Sequence, residues 1–133
     1  MAKVQRKPAA KRPSDPQLLR YANLPAATVS DAMDGLGLPL AHMGQAVMRL
    51  SGTHVVGRAR TIDRTRTPTN ARQADIDPEL GMGTYRVIDS ALPGTVIVIA
   101  ALGDTSAALW GGNMANRAQQ LGVRGVVTDG AAG

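Results

Sequence analysis

No cysteine and no phenylalanine occur among the 133 residues, and there are only one Trp and two Tyr. Without Cys there is no disulfide framework, no thiolate metal site and no Cys nucleophile. With so few aromatics, a core must be built from Val, Ile, Leu, Met and Ala, and residues of hydrophobic type make up 44% of the chain. No apolar run approaches the roughly 20 residues that span a bilayer. The basic start "MAKVQRKPAAKRPSDP" lacks the apolar segment of a secretory signal. These absences predict a cytoplasmic location and no membrane partner. The length suits one domain with a real core and is short for two.

Acid is missing from one part of the chain. Residues 1–14 hold Lys3, Arg6, Lys7, Lys11 and Arg12 with no Asp or Glu, whereas from Asp15 onward ten Arg face ten acids. The net charge of +5 therefore belongs to a tail and not to a basic binding face. Residues 1–15 read as a basic, Pro-containing arm and 16–133 as the folded α/β domain. Such an arm is a disordered, solubilising leader, or it contacts RNA, DNA or an acidic partner electrostatically.

The arm gives way to "SDPQLLRYANL", a helix start with Ser14 or Asp15 as cap and Pro16 in the first turn. "ATVSDAMDGLGLP" predicts a short helix capped by Thr28 or Ser30, running through Met33 and stopped by Gly35 or Gly37. In "AVMRLSGTHVVGRARTIDRTRT", β-branched residues and alternation predict two strands around Ser51–Gly52. "PTNARQADIDPELGMG" reads as an exposed loop and "TYRVIDSA" as a short helix. "TVIVIAAL" is a continuous apolar run, the mark of a strand buried on both faces. "GDTSAALWGGNMANRAQQLGV" is a Gly-rich loop feeding a helix over about 112–121, and "RGVVTDG" is a second buried strand. Strand, turn, helix, strand is the βαβ order, so Val96–Ala100 and Gly125–Thr128 should be parallel neighbours.

Chemistry is best sought where that helix opens. A first turn of Gly-Gly-Asn exposes backbone N–H groups that, with the helix dipole, attract a carboxylate or phosphate. The pattern alone leaves open that Gly111 and Gly112 only permit a tight strand-to-helix turn. It is neither a P-loop nor GxGxxG. Asp104 and Asp129 each follow a predicted strand, where open parallel sheets place ligands, but a loop cap and a plain Asp-Gly turn explain them equally well. Asp31 and Asp34, three apart on a short helix, form a possible carboxylate pair, although acids favour a helix start in any case. His42 and His54 lack neighbours at ligand spacing. Arg58, Arg60, Arg64 and Arg66 alternate along one strand face, as an anion site or a solvated edge.

Taken together these residues resemble the RraA-like family. It includes regulators of a ribonuclease and divalent-metal aldolases that cleave 4-hydroxy-4-methyl-2-oxoglutarate and decarboxylate oxaloacetate. Three stretches carry the match: "TVSDAMDGLG", "GRARTI" and "PGTVIVIAALGDTSAALWGGNMANRAQQLGVRGVVTDGA". The likeness spans about residues 16–133 and is most specific in the last stretch. It implies a swivelling β/β/α domain with a central βαβ unit, here C-terminally incomplete, assembling as a trimer or a dimer of trimers.

By the same resemblance, Gly111, Gly112, Asn113 and Met114 hold the carboxylate and keto group of a pyruvyl substrate through backbone amides. The family motif Asp-Gly-x-x-Arg-Asp begins at Asp129 and Gly130. Its Arg, which stabilises the enolate, falls on Gly133, and its metal-positioning Asp would come next. Some aldolases also place an Asp where this chain has Gly112. The resemblance thus implies a 2-oxo acid substrate and a divalent metal, Mg²⁺, with the enolate cation and metal anchor supplied from outside these residues. Arg124 cannot replace the missing Arg, because it precedes its strand and should lie at the wrong end of the sheet. A competing expectation is a non-catalytic regulator that binds a ribonuclease or another protein. A weaker one is a nucleotide- or anion-binding module using the same turn.

Overall fold

The computed structural model describes residues 15–39, 43–44, 47–64 and 83–133. His42 and Arg66 lie outside the described residues, as do the loop that follows Arg64 and the arm before Asp15. Among the described residues there are four helices: α1 (Pro16–Tyr21), α2 (Ala26–Gly35), α3 (Gly83–Asp89) and α4 (Gly112–Gln120). Five strands accompany them: β1 (Arg58–Asp63), β2 (Thr95–Ala100), β3 (Ala108–Trp110), β4 (Gly125–Thr128) and β5 (Ala131–Ala132).

β2 is the centre of a three-stranded parallel sheet of order β1-β2-β4. Its sequence TVIVIA has five of six residues buried or nearly so, as a strand flanked on both edges and covered on its faces requires. The expected parallel pairing holds, with Val96 opposite Gly125 and Ile99 opposite Thr128. A two-stranded parallel ribbon, β3-β5, forms beyond the far end of this sheet. The fold is mixed α/β with a central βαβ unit.

The core is aliphatic, as the scarcity of aromatics demands. Ile88 of α3 and Ile97 of β2 are wholly buried, with Ile62, Ile99 and Ala118 beside them and Trp110, Met114 and Val126 packed against the cluster. α3 and α4 cover one face of the sheet, joined outside by the Arg117 to Asp89 ion pair at 2.7 Å. α4 ends at Gly122 (φ +78°), whose N–H bonds to the Gln119 carbonyl while that of Val123 reaches Ala118. That 6→1 and 5→2 pairing needs a left-handed residue after the helix, which Gly adopts without strain.

Two local expectations are corrected. The segment before β1 is not a pair of strands: residues 47–57 carry no ladder, and the strand is Arg58–Asp63 alone. Its partner among the described residues, β2, begins at Thr95 in register with Arg58, so nothing among them pairs with the preceding stretch despite its alternation. α2 starts earlier and ends later than expected, at Ala26 and Gly35, with Pro25 in front and no side-chain cap. Pro25 already holds φ near −57°, and two alanines that follow favour helix, so Thr28 and Ser30 fall inside the helix. At the other helix start, Asp15 caps α1 by accepting the Gln17 N–H at 3.0 Å, with Pro16 in the first position. Neither α1 nor α2 buries a residue.

Candidate functional site

The C-terminal end of the three-stranded sheet gathers the loop after β2, the turn after β4, the ribbon β3-β5 and the start of α4. Open parallel sheets bind ligands at this end. α4 opens on Gly111, which is extended (φ −141°, ψ 176°) and whose carbonyl accepts the Ala115 N–H at 2.9 Å. No side chain caps the helix. By position the amides of Gly112, Asn113 and Met114 have no intrahelical acceptor, and they concentrate the positive end of the helix dipole. The Met114 side chain packs on the core, while Gly112 and Asn113 are exposed.

The geometry separates two reasons for a glycine pair. Neither Gly111 nor Gly112 has positive φ, so the turn does not demand glycine. Nor does packing: a Cβ on Gly112 would meet nothing within 4 Å, and one on Gly111 would make only an ordinary 3.9 Å contact with the Gly133 carbonyl. What the missing side chain of Gly112 leaves is open space at the helix start.

Asp104 and Asp129 take up structural tasks nearby. Asp104 Oδ1 accepts the Ser106 N–H at 2.9 Å. Hydrogen bonds from the Ser106 hydroxyl and then its amide hold the Asp104 carboxyl below its ordinary range, against a smaller opposing effect of desolvation. Asp129 uses both oxygens: Oδ1 accepts the Ala101 N–H at 2.7 Å and Oδ2 that of Gly103 at 3.2 Å. This clamp spans Leu102, which has φ +54° and is 81% exposed. Gly130 lets the clamp close, since a Cβ there would stand 2.6 Å from Leu109 Cδ1 and 3.0 Å from the Asp104 carbonyl.

Gly133, aligned with the family Arg, lies beside the helix opening. Its N–H bonds to the Trp110 carbonyl at 2.9 Å, one residue before Gly111. Arg124 is at the opposite end of the sheet, its N–H on the Thr95 carbonyl at 2.8 Å and its Nη1 on the Val56 carbonyl at 3.0 Å. Asp31 and Asp34 are exposed on α2 and His54 is exposed before β1. Arg58 is paired with Asp15 at 2.7 Å and Arg60 with Ser90 at 2.8 Å. Arg64 follows β1, and its Nε is buried without a partner among the described residues. No group of three His, Asp or Glu that could hold a metal occurs among the described residues, and the Asp104 and Asp129 carboxylates already accept loop amides. The described residues therefore do not fit a metal centre by themselves. Sequence reasoning missed the Asp129 clamp, because the link to residues 101 and 103 exists only once β2 and β4 are paired.

The RraA-like family model, described as Aldolase/RraA, matches residues 26–132. The chain belongs to the RraA-like family. A candidate 4-hydroxy-4-methyl-2-oxoglutarate aldolase of Halalkalibacterium halodurans is 31% identical over 115 residues, covering 86% of this chain and 47% of its own length. Among solved structures, an uncharacterised protein of Pseudomonas syringae pv. tomato superposes with a TM-score of 0.67 at 28% identity, over 91% of this chain and 50% of that one. Streptomyces coelicolor RraAS2, an unusual member of the RNase ES inhibitor RraA family, superposes at 0.69 and 21% identity, over 90% and 56%. These likenesses establish the RraA fold. The chain spans about half the length of the relatives it matches.

Proposed function

We propose that this RraA-like chain supplies the substrate-holding part of a class II pyruvyl lyase, which cleaves 4-hydroxy-4-methyl-2-oxoglutarate-like 2-oxo acids or decarboxylates oxaloacetate. The observation that carries the reading is the uncapped start of α4, with open space where Gly112 has no side chain. The free amides of Gly112, Asn113 and Met114 at this helix start suit a carboxylate and the adjacent keto oxygen. The Asp129 clamp fixes the loop after β2 at the same end of the sheet.

Cleavage to pyruvate places negative charge on the keto oxygen, and a cation beside it contributes several kcal/mol of barrier lowering. Neither Gly133, which occupies the family Arg position, nor Arg124, at the other end of the sheet, offers that cation. The divalent metal that the resemblance implies, Mg²⁺, would need ligands outside the described residues. Residues 1–133 on their own are therefore expected to bind pyruvate without releasing it from oxaloacetate.

Assembly fits the same reading. β4 has one strand neighbour among the described residues and is only half-buried, and a strand edge of this kind invites pairing with another chain. A homo-oligomer, trimer or hexamer, or a complementing C-terminal segment would cover it. A regulator that binds a ribonuclease or another protein is the second reading, favoured by the lack of a metal-binding cluster among the described residues. Pyruvate release from oxaloacetate and from 4-hydroxy-4-methyl-2-oxoglutarate, with Mg²⁺ and with a chelator, separates the possibilities. Pyruvate binding without turnover is the expected result. Chelator-sensitive turnover by this chain would overturn the claim that the cation and metal ligands lie elsewhere, and no binding would leave only the regulator.

A further inference from the structure

The opposite end of the sheet carries a hollow that the proposed carboxylate turn does not use. It measures about 490 Å³ and lies between α1, the Leu92–Gly94 turn and the starts of β1 and β2, with Arg124 at its margin. Strand register fixes its position: Arg58 pairs with Thr95 at this end, whereas Asp63 pairs with Ala100 at the other. Five residue steps of roughly 3.3 Å put the two ends about 16 Å apart. A hollow of this size is within the range of small-molecule sites.

Its lining combines apolar side chains with three arginines. Leu18, Leu19 and Ala22 come from α1, and Leu92 and Pro93 face them from the turn before β2. Leu19 is 62% and Leu92 72% exposed, so apolar surface stands open to water here. Arg58, Arg60 and Arg124 line the same space, with Asp15 the only acid among the described lining residues. Asp15 is already engaged by Arg58, which leaves an excess of two positive charges. A guanidinium has five N–H donors. The bonds described take Nη2 of Arg60 to Ser90 and Nη1 of Arg124 to the Val56 carbonyl, and both residues line the hollow.

We propose that this hollow binds a small amphipathic carboxylate, with its apolar body against Leu18, Leu19 and Leu92 and its head on Arg60 and Arg124. Planar guanidinium forks match a carboxylate in two-point contact. Burial of the body removes from water the leucine surface that the fold leaves exposed. The basic arm is unsuited as occupant, since its five cations and no acid would meet three arginines. Short 2-oxo acids lack the apolar body, so this ligand differs in class from the one proposed for the α4 turn.

The test is a titration of the full chain with octanoate, octanol and acetate, followed by amide NMR. Octanoate should saturate at least about tenfold more tightly than either control, with shifts centred on Leu92, Thr95 and Arg124 and no displacement by pyruvate. The pair Arg60→Gln and Arg124→Gln should weaken octanoate about tenfold, by analogy with the loss of a charged contact. Leu92→Gln, at an exposed position, should weaken it too while leaving the fold unchanged. Equal binding of acetate or of octanol, indifference to these variants, or shifts centred on Gly112–Met114 would each overturn the proposal.

Discussion

The Asp129 carboxylate accepts the Ala101 amide at 2.7 Å, across 28 residues of sequence, and so ties the turn after β4 to the loop after β2. Its second oxygen takes the Gly103 amide at 3.2 Å. One side chain thereby sets the shape of the loop after β2. Asp129→Asn would turn an NH₂ toward one of two N–H donors and remove the charge from both bonds. We expect a loss of about 1.5–3 kcal/mol in unfolding free energy, with faster hydrogen exchange at Ala101 and Gly103 than elsewhere in the sheet. An unchanged exchange pattern would mean that the clamp does not hold the loop.

Two glycines near the site should answer oppositely to an added methyl group. Gly130→Ala places a Cβ 2.6 Å from Leu109 Cδ1 and 3.0 Å from both Ala101 Cβ and the Asp104 carbonyl. Overpacking there should cost about 1–3 kcal/mol. Gly112→Ala meets nothing within 4 Å and exchanges Gly for a better helix former, so stability should hold or rise by up to about 1 kcal/mol. Urea denaturation of the two variants measures this contrast.

Acid should release α1. Desolvation alone would raise the Asp15 carboxyl, but the hydrogen bond from Arg58, the Gln17 amide and the Arg58 charge outweigh it and hold Asp15 below its ordinary 3.8. A depressed carboxyl contributes stability that is fully present above the unfolded value and is lost as pH falls through the folded one. Carboxyl-carbon NMR should place the Asp15 midpoint below 3.8, and Arg58→Gln should move it upward. A midpoint insensitive to Arg58 would contradict the pairing.

The aliphatic core predicts a steep response at its centre. Ile97 is wholly buried and packs in one cluster with Ile62, Ile88 and Ile99. Ile97→Ala should cost about 2–5 kcal/mol, enough to unfold a marginal domain at physiological temperature. Thermal melting of the variant checks it.

Much of this was legible in the sequence because the signals are local. The run TVIVIA could only be a covered strand, and Gly122 and the Asp15-Pro16 pair mark helix ends by backbone chemistry. The turn at Gly111–Gly112 was legible as a candidate, but not that neither backbone conformation nor packing requires its glycines; that needed φ values and the empty space around Gly112. The stretch before β1 misled because alternation promises a strand without supplying a partner for it. Asp129 was ambiguous for the same reason, since its partners at 101 and 103 are neighbours only in space.

The most direct test of the account is amide NMR of the full chain titrated with pyruvate. Saturable shifts at Gly112, Asn113 and Met114, abolished when Gly112→Val fills the space above them while the fold persists, are the predicted result. A folded chain that shows no shift at those amides, or the same shifts in the Gly112→Val variant, would contradict the claim that the start of α4 holds a 2-oxo acid.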